Sequence, residues 1–474
     1  MSTRNRNILI TIVALLGLIV LACASLVFFL DTGAYRARLE AQASAALGLQ
    51  VSIGGAVRIN LFPVVRVHVE DVRLRNRDAD VASAKRAELD IELLPLLRQH
   101  VQITKIGLRQ MRISVERDHE GRFNFAQPQA TEDVLPALDL PSVTIDEGTF
   151  IFADKRLARA FEAVGCRLAV QGLRQASGKH ADLMTNLAFK ADLECSELRN
   201  ESVKVSDLKF SVEARQGILD FKPIAMRVFD TLGSGRLQAD FSGAVPRYNA
   251  EASLTQFPIE AFFKTLALQP AAEGRVDFTA HLTMQGQTEI ELRRTANGRL
   301  TLRGKSLKLN GRDVDEALSR FESSQTFNLV DAGAFFFAGP LGLVLTKGYD
   351  FASIYRGTAG SSEIRVLVSD WTLEHGRAQA HDVAMATRAN RIALQGGLDL
   401  VNHRFDDVTM ALIDPKGCAK VRQKIHGTFE QPAVDKPNAL AALAGPAIRL
   451  LKKGGELLGA KCDVFYAGSV PAPG

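Results

Sequence analysis

The stretch Val57-Arg58-Ile59-Asn60-Leu61-Phe62-Pro63-Val64-Val65-Arg66-Val67-His68-Val69 alternates apolar and polar side chains on both sides of a Phe62-Pro63 turn signal. Successive side chains of a strand point to opposite faces, so each half reads as a strand with one apolar face. Leu89, Ile91 and Leu93 repeat the pattern around Asp90 and Glu92. The same period returns at Met111, Ile113, Val115; at Leu208, Phe210, Val212; at Leu237, Ala239, Phe241; at Val276, Phe278, Ala280, Leu282; at Leu300, Leu302; and at Ile364, Val366, Val368. Gly54-Gly55, Glu120-Gly121, Gln216-Gly217, Ser242-Gly243, Gly286, Gly298, Gly396-Gly397 and Gly427 punctuate these runs as turns. The spacing predicts a mainly β chain built as an antiparallel meander.

Only three modest helices are expected: residues 32–46, a short amphipathic piece over Ile259–Leu268, and residues 438–458. They are too few to cover so many apolar strand faces. A sandwich closes such a face with a second sheet ~10 Å away, a barrel or β-helix closes it by curvature, and an open bent sheet leaves an apolar trough. Periodicity does not choose among these. An exposed trough needs an apolar occupant, and acyl chains fit one. Its candidate lining residues are Ile59, Leu61, Val67, Leu89, Ile91, Ile113, Val115, Phe210, Phe241, Phe278 and Leu302.

Between Ile8 and Leu30 the chain runs 23 residues without a charge, enough for a helix across a hydrocarbon core of ~30 Å. Arg4 and Arg6 precede it and Arg36 and Arg38 follow, so basic residues balance across it. A short basic tail, an apolar stretch and a large remainder predict a retained signal anchor. The rival reading is cleavage near Ala22-Cys23-Ala24, but apolar residues continue through Val27-Phe28-Phe29-Leu30. The 474 residues are 46% hydrophobic and 23% charged, with 58 basic and 53 acidic residues spread throughout. That composition fits neither a disordered nor a polytopic chain, and the absence of a basic block argues against nucleic acid as a partner.

Leu47-Gly48-Leu49-Gln50-Val51-Ser52-Ile53-Gly54-Gly55, the alternating stretch quoted first, and Val69-Glu70-Asp71-Val72-Arg73-Leu74 resemble the start of AsmA family proteins. Leu93-Leu94-Pro95-Leu96-Leu97 and Val115-Glu116-Arg117-Asp118-His119-Glu120-Gly121-Arg122-Phe123-Asn124-Phe125 are similar to the sequel. Further similarity lies in Leu232-Gly233-Ser234-Gly235, Ala239-Asp240-Phe241-Ser242-Gly243 and Ile425-His426-Gly427-Thr428-Phe429. The resemblance implies an inner-membrane-anchored periplasmic protein of a diderm bacterium that supports outer-membrane integrity, with a chorein-like start akin to bridge-like lipid transfer proteins and, with it, an elongated, bent antiparallel β-sheet that forms an open groove. Its implied partners are a phospholipid or other glycerolipid, the inner membrane, and outer-membrane or periplasmic proteins; it implies no cofactor. The expected segments are a tail (1–7), an anchor (8–30), a chorein-like part (31–130), a continued sheet (131–437) and a C-terminal helix with a last strand (438–474).

Setting Cys23 aside leaves four cysteines. Cys166 and Cys195 sit in strand-like runs on either side of a connection near Ala176–His180, and Cys418 and Cys462 bracket the expected last helix, so an oxidising compartment favours the pairs 166–195 and 418–462. Four buried thiols are the alternative. No CxxC pair points to a metal, no GxxxxGK[ST] loop points to nucleotide, and Asp406-Asp407, His375 with His381, and Gly357–Ser362 make no catalytic constellation; Asp370-Trp371 reads as a turn. The chain is therefore expected not to be an enzyme, and a structural or assembly role without lipid carriage is the second function class. The apolar block Phe327–Leu345 is expected in a core or at a lipid surface. The expected helix from Asn438, its N-cap, carries an apolar stripe at Leu440, Leu443, Ala444, Ala447, Ile448 and Leu451, fit for a lid or an edge cap.

Overall fold

A computed structural model of the chain describes residues 36–473, apart from short gaps and three longer stretches, 125–133, 319–359 (Phe336 excepted) and 440–463. It divides into two compact units, residues 1–183 with 188–200 and residues 184–187 with 201–474. Both are mainly β.

The first unit holds β1 (Gln50–Ile53), β2 (Val57–Asn60), β3 (Val65–Asn76), β4 (Ala79–Ile91), β5 (Ile103–Arg117), β6 (Val134–Leu135), β7 (Leu138–Asp154), β8 (Arg159–Gln175), β9 (Gly178–Lys179) and β10 (Leu187–Arg199). β1 and β2 share one edge of β3, and the ladder continues β3–β4–β5–β7–β8–β10. The expected meander fails at one place: β5 and β7 are parallel. The twenty residues between Arg117 and Leu138 supply the crossover that a parallel pair requires and a tight hairpin does not. The described residues of 36–45 are helical, as expected, and that helix blunts the free edge of β1. The Glu40 carboxylate accepts the Ile53 amide at 2.7 Å and the Ser44 hydroxyl accepts the Val51 amide at 2.9 Å.

Four of the strands run longer than their alternating segments suggest, because each is broken by a residue of positive φ and then resumes. Asp71 in β3, Gln110 in β5, Glu147 in β7 and Gly165 in β8 have φ of +52°, +48°, +55° and +62°. Three of the four carry side chains in a region that L-residues rarely adopt. At each break the alternation slips by one, so Val69 and Val72, three apart on β3, pack in the same apolar cluster. Glu70 pairs with Arg86, Arg86 with Arg109 and Arg109 with Asp146, which sets the breaks in one line across four strands. Bulges of this kind bend a strand. The line ends at the disulfide Cys166–Cys195 between β8 and β10, as the sequence predicts.

The second unit holds β11 (Lys204–Arg215), β12 (Ile218–Val228), β13 (Thr231–Asp240), β14 (Arg247–Pro258), β15 (Ala272–Glu273), β16 (Arg275–Gln285), β17 (Asn297–Asn310), β18 (Ser361–Glu374), β19 (Arg377–Ala386), β20 (Arg391–Asp399), β21 (Arg404–Ile413), β22 (Ala419–Gly427), β23 (Pro432–Val434) and β24 (Asn438–Ala439). Its ladder runs antiparallel from β11 to β22, with β15 beside β17 and both β23 and β24 beside β22. The helix Ile259–Thr265 follows β14, close to its expected place. A second helix, Glu289–Thr295, was not expected; the Thr288 hydroxyl accepts the Glu291 amide while the Glu291 carboxylate accepts the Gln287 amide.

Two expectations change here. Asp370 and Trp371 lie inside β18, with Trp371 fully buried. Asn438 pairs with Arg422 as part of a strand and does not cap a helix; residues 440–458 lie outside the described residues. Of the Phe327–Leu345 block only Phe336 is described, in the core, where its carbonyl accepts the Ser369 hydroxyl at 2.7 Å. Among the described residues no helix is long and apolar enough to cross a membrane; the run Ile8–Leu30 lies outside them. Cys418 is disulfide-bonded, and its expected partner Cys462 lies outside the described residues too.

Candidate functional site

In the first unit the strand register assembles the apolar positions into rows that cross the sheet. One row is Val57, Val69, Ala87, Leu108, Ile145 and Leu168; the next is Ile59, Val67, Leu89, Ile106, Val143 and Val170. Beyond the line of breaks the face continues as Leu74, Ala82, Ile113, Phe150 and Ala163, and then as Val115, Phe152 and Phe161. Most of these side chains are half-buried, and Phe152 and Phe161 are exposed. Among the described residues the first unit offers only short helices and a two-residue strand pair besides the main ladder, so no second layer matches this face in length.

The opposite face is charged along the line of breaks. Arg167 bridges Asp146 and Glu194 at 3.5 and 3.7 Å, and the Gln110 amide donates to Glu147 at 2.7 Å. Nearer the start of β3, Arg66 grips Asp90 with two hydrogen bonds of 2.6 and 2.8 Å, and that guanidinium holds the Asp90 carboxyl below the usual carboxylate range. One face is built for apolar contact and the other for water.

The candidate trough residues divide accordingly. Ile59, Val67, Leu89, Ile91, Ile113 and Val115 lie on the apolar face of the first unit; Leu61 lies outside the described residues. Phe210 packs edge-on to Phe221 at 5.6 Å, and Phe241 edge-on to Tyr248 at 6.0 Å, both half-buried in the second unit. Phe278 is half-buried against the closed core described next. Leu302, at 2% exposure, is inside that core and is not available to an outside ligand. Among the residues missed are Ile106 and Leu108 of β5 and Val143, Ile145, Leu168 and Val170 of β7 and β8; the short alternations Val143-Thr144-Ile145 and Leu168-Ala169-Val170 could have revealed the last four.

From β16 onward the equivalent face of the second unit is closed. Val276, Leu300, Leu367, Trp371, Met385, Ile392, Leu398 and Met410 are buried in one cluster with Ile259 and Phe263 of the helix, Val314, Leu318 and Phe336. The reverse face of β18–β22 is closed as well, because Ala384, Ala386, Ala393 and Ala411 leave room for Phe465 and Tyr466 of the last segment. Polar groups fix this strap: the Gln395 amide donates to the Phe465 carbonyl at 2.6 Å, Arg391 to the Val470 carbonyl at 3.1 Å, and the Tyr466 hydroxyl to Asp382 at 2.5 Å. By contrast β11–β14 keep part of their apolar face half-buried, with Phe221, Leu237 and Ala250 in one row beside the buried Val212.

Residues 1–177 match the model of the AsmA family. This segment is similar to AsmA family proteins. The AsmA segment takes in β1 to β8 and therefore every row of the open face; the further similarities at Leu232–Gly243 and Ile425–Phe429 lie outside the matched residues. No curated protein and no solved structure matches the chain.

Proposed function

We propose that this protein carries glycerolipids, acyl chains against the apolar rows of its N-terminal sheet, from the inner membrane toward the outer membrane of a diderm envelope. The observation that carries the reading is the continuity of those rows across β3, β4, β5, β7 and β8 without a covering layer among the described residues. Each acyl CH₂ kept from water is worth ~0.8 kcal/mol, so a strip of valine, isoleucine and leucine lowers the cost of holding a lipid outside a bilayer. The headgroup stays in solvent. In this reading Ile8–Leu30 is the inner-membrane anchor and the bulk of the chain is periplasmic, which fits the Cys166–Cys195 disulfide. Carriage is passive, and a lipid gradient or a partner gives it direction.

The closed face from β16 onward favours hand-over to a partner protein before the lipid reaches the outer membrane, since among the described residues the strand-face apolar side chains there are taken up in two buried clusters. The test is native mass spectrometry with lipid extraction on the full chain, comparing wild type with Ile106→Asp and Val143→Asp. Co-purified glycerolipid in the wild type and its loss from folded variants is the expected result. A lipid-free wild type, reproduced in mild detergents, rejects carriage and favours the structural or assembly role.

A further inference from the structure

In the second unit the strand register that lines up Leu237, Ala250 and Leu282 on one face lines up side chains of another kind on the opposite face. Gln238, Asn249, Thr283 and Asn297 pair in turn across β13, β14, β16 and β17. Two residues along the strands, Asp240, Arg247 and Gln285 form a second row. Successive side chains of a strand point to opposite faces, so both polar rows lie on the side that Leu237 leaves.

Two neighbouring elements turn this polar face into a cleft of about 420 Å³. The end of the helix Glu289–Thr295 forms one wall, fixed because the Thr295 hydroxyl donates to the Gln285 carbonyl at 2.5 Å and accepts the Gln285 amide at 2.9 Å. The turn between β18 and β19 adds His375 to the lining. It is fixed in turn, since the Asn297 side-chain oxygen accepts the His375 amide at 3.0 Å and the Gly376 amide donates to the Ala296 carbonyl at 2.9 Å. A cleft of this size suits a small ligand or a few units of a chain molecule.

The rows consist largely of groups that both donate and accept. Among the described residues the side chains of Gln238, Asn249, Thr283 and Gln285 spend no hydrogen bond on the protein, so their bonding capacity is intact for a ligand. Asp240 is oriented in advance: its Oδ1 accepts the Ser242 hydroxyl at 2.6 Å and the Ser242 amide at 2.9 Å, which holds the carboxyl below the usual carboxylate range and leaves Oδ2 to accept from a ligand. Arg247 pairs with Asp240 in the register, so the two charges offset each other and an ionic ligand gains little. What answers such a lining is a neutral molecule carrying hydroxyls or amides at short intervals. Adjacent strands repeat at ~4.8 Å, close to the length of one sugar ring, so a saccharide lying across the strands meets one polar side chain per strand.

We propose that this cleft binds a neutral saccharide, with Gln238, Asn249 and Thr283 bonding hydroxyls along the chain and Asp240 with Arg247 holding one sugar of it. The site does not depend on lipid carriage by the first unit. The full chain is prepared in a polyoxyethylene detergent, which brings no sugar of its own, and titrated with maltotriose, cellotriose and triacetylchitotriose by saturation-transfer NMR. Transfer to at least one trisaccharide is expected. Asn249→Ala and Arg247→Ala should each weaken it about tenfold, the loss of one or two hydrogen bonds, while Val143→Asp in the first unit leaves it unchanged. Asn249 and Arg247 are exposed, and unchanged emission from Trp371 checks that both variants are folded. No transfer to any of the three sugars up to tens of millimolar overturns the proposal, and so does transfer that both variants leave intact. Binding of inorganic phosphate in place of all three also overturns it, because the cleft would then be an anion site.

Discussion

β3–β8 and β16–β22 are made from the same two-residue alternation, yet one set leaves its apolar face half-open and the other seals it, with β18–β22 closed on the reverse face as well. Among the described residues Leu89 of β4 clusters with side chains of its own sheet and the half-buried Ile106 of β5 lies in the same row, whereas Leu300 and Trp371 share a buried cluster with a helix, Val314, Leu318 and Phe336. The difference lies outside the strands themselves. Alternation specifies a strand and which side is apolar; what covers that side depends on connecting segments, here the helix Ile259–Thr265 and the strap Val464–Val470.

The largest effect expected from this contrast is on charge insertion. Leu300→Asp places a carboxylate in a sealed core and should cost ~5 kcal/mol or more, unfolding that region. Val143→Asp leaves its charge partly hydrated and should keep the fold. Trp371, the single tryptophan, reports only the closed region, so a red-shifted emission is expected for Leu300→Asp and an unchanged one for Val143→Asp. Equal unfolding by both would make the open face a closed core.

The disulfide sharpens the comparison next. Cys166→Ala with Cys195→Ala removes a bridge with a sequence separation of 29, for which chain entropy gives ~3.5 kcal/mol. That loss should appear in the melting of the first unit, followed by hydrogen exchange of β7 and β8, while Trp371 emission melts as in wild type.

The line of breaks predicts a smaller effect with a characteristic sign. At the left-handed φ of Gln110, valine should cost ~1–2 kcal/mol and glycine should be close to neutral. Thermal melts of Gln110→Val and Gln110→Gly check it; equal losses would mean that the backbone at this position tolerates β-branching and that the bend is not fixed there.

The strap supplies the mildest and most local prediction. Burial opposes the charged Asp382 carboxylate, but hydrogen bonds from the Ser469 hydroxyl, the Tyr466 hydroxyl and the Ser469 amide outweigh it and hold its pKa below the usual carboxylate value. A group whose folded pKa is lowered stabilises above its unfolded pKa and loses that contribution as pH falls through the folded one. Amides of residues 464–470 should therefore stay protected at neutral pH and exchange faster below about pH 4, after correction for intrinsic rates. Asp382→Asn should flatten that dependence.

Much of this was legible in sequence, since every alternating run quoted falls in or borders a strand and the Cys166–Cys195 pair follows from two such runs facing each other. What was not legible has physical reasons. Asp71, Gln110 and Glu147 hold left-handed backbone without glycine to announce it, so the slip in alternation across the bend left no local sign. The parallel β5–β7 pair depends on a crossover whose length, not composition, permits it. Asp370-Trp371 reads as a turn by residue type but is held in mid-strand by burial and by the Trp371 indole donating to Ser369 at 2.8 Å. Leu302 has the same local pattern as Ile113, and only the segments packed over it make it unavailable.

The central claim, that the rows of β3–β8 hold acyl chains while the outer face does not, is tested most directly by photo-crosslinking in living cells. A benzophenone amino acid at Ile106, Val143 or Val170 should yield lipid adducts on the purified protein by mass, and the same group at Arg86 or Arg109 on the charged face should yield none. Adducts absent from all three apolar positions, or equally abundant on both faces, would contradict the account.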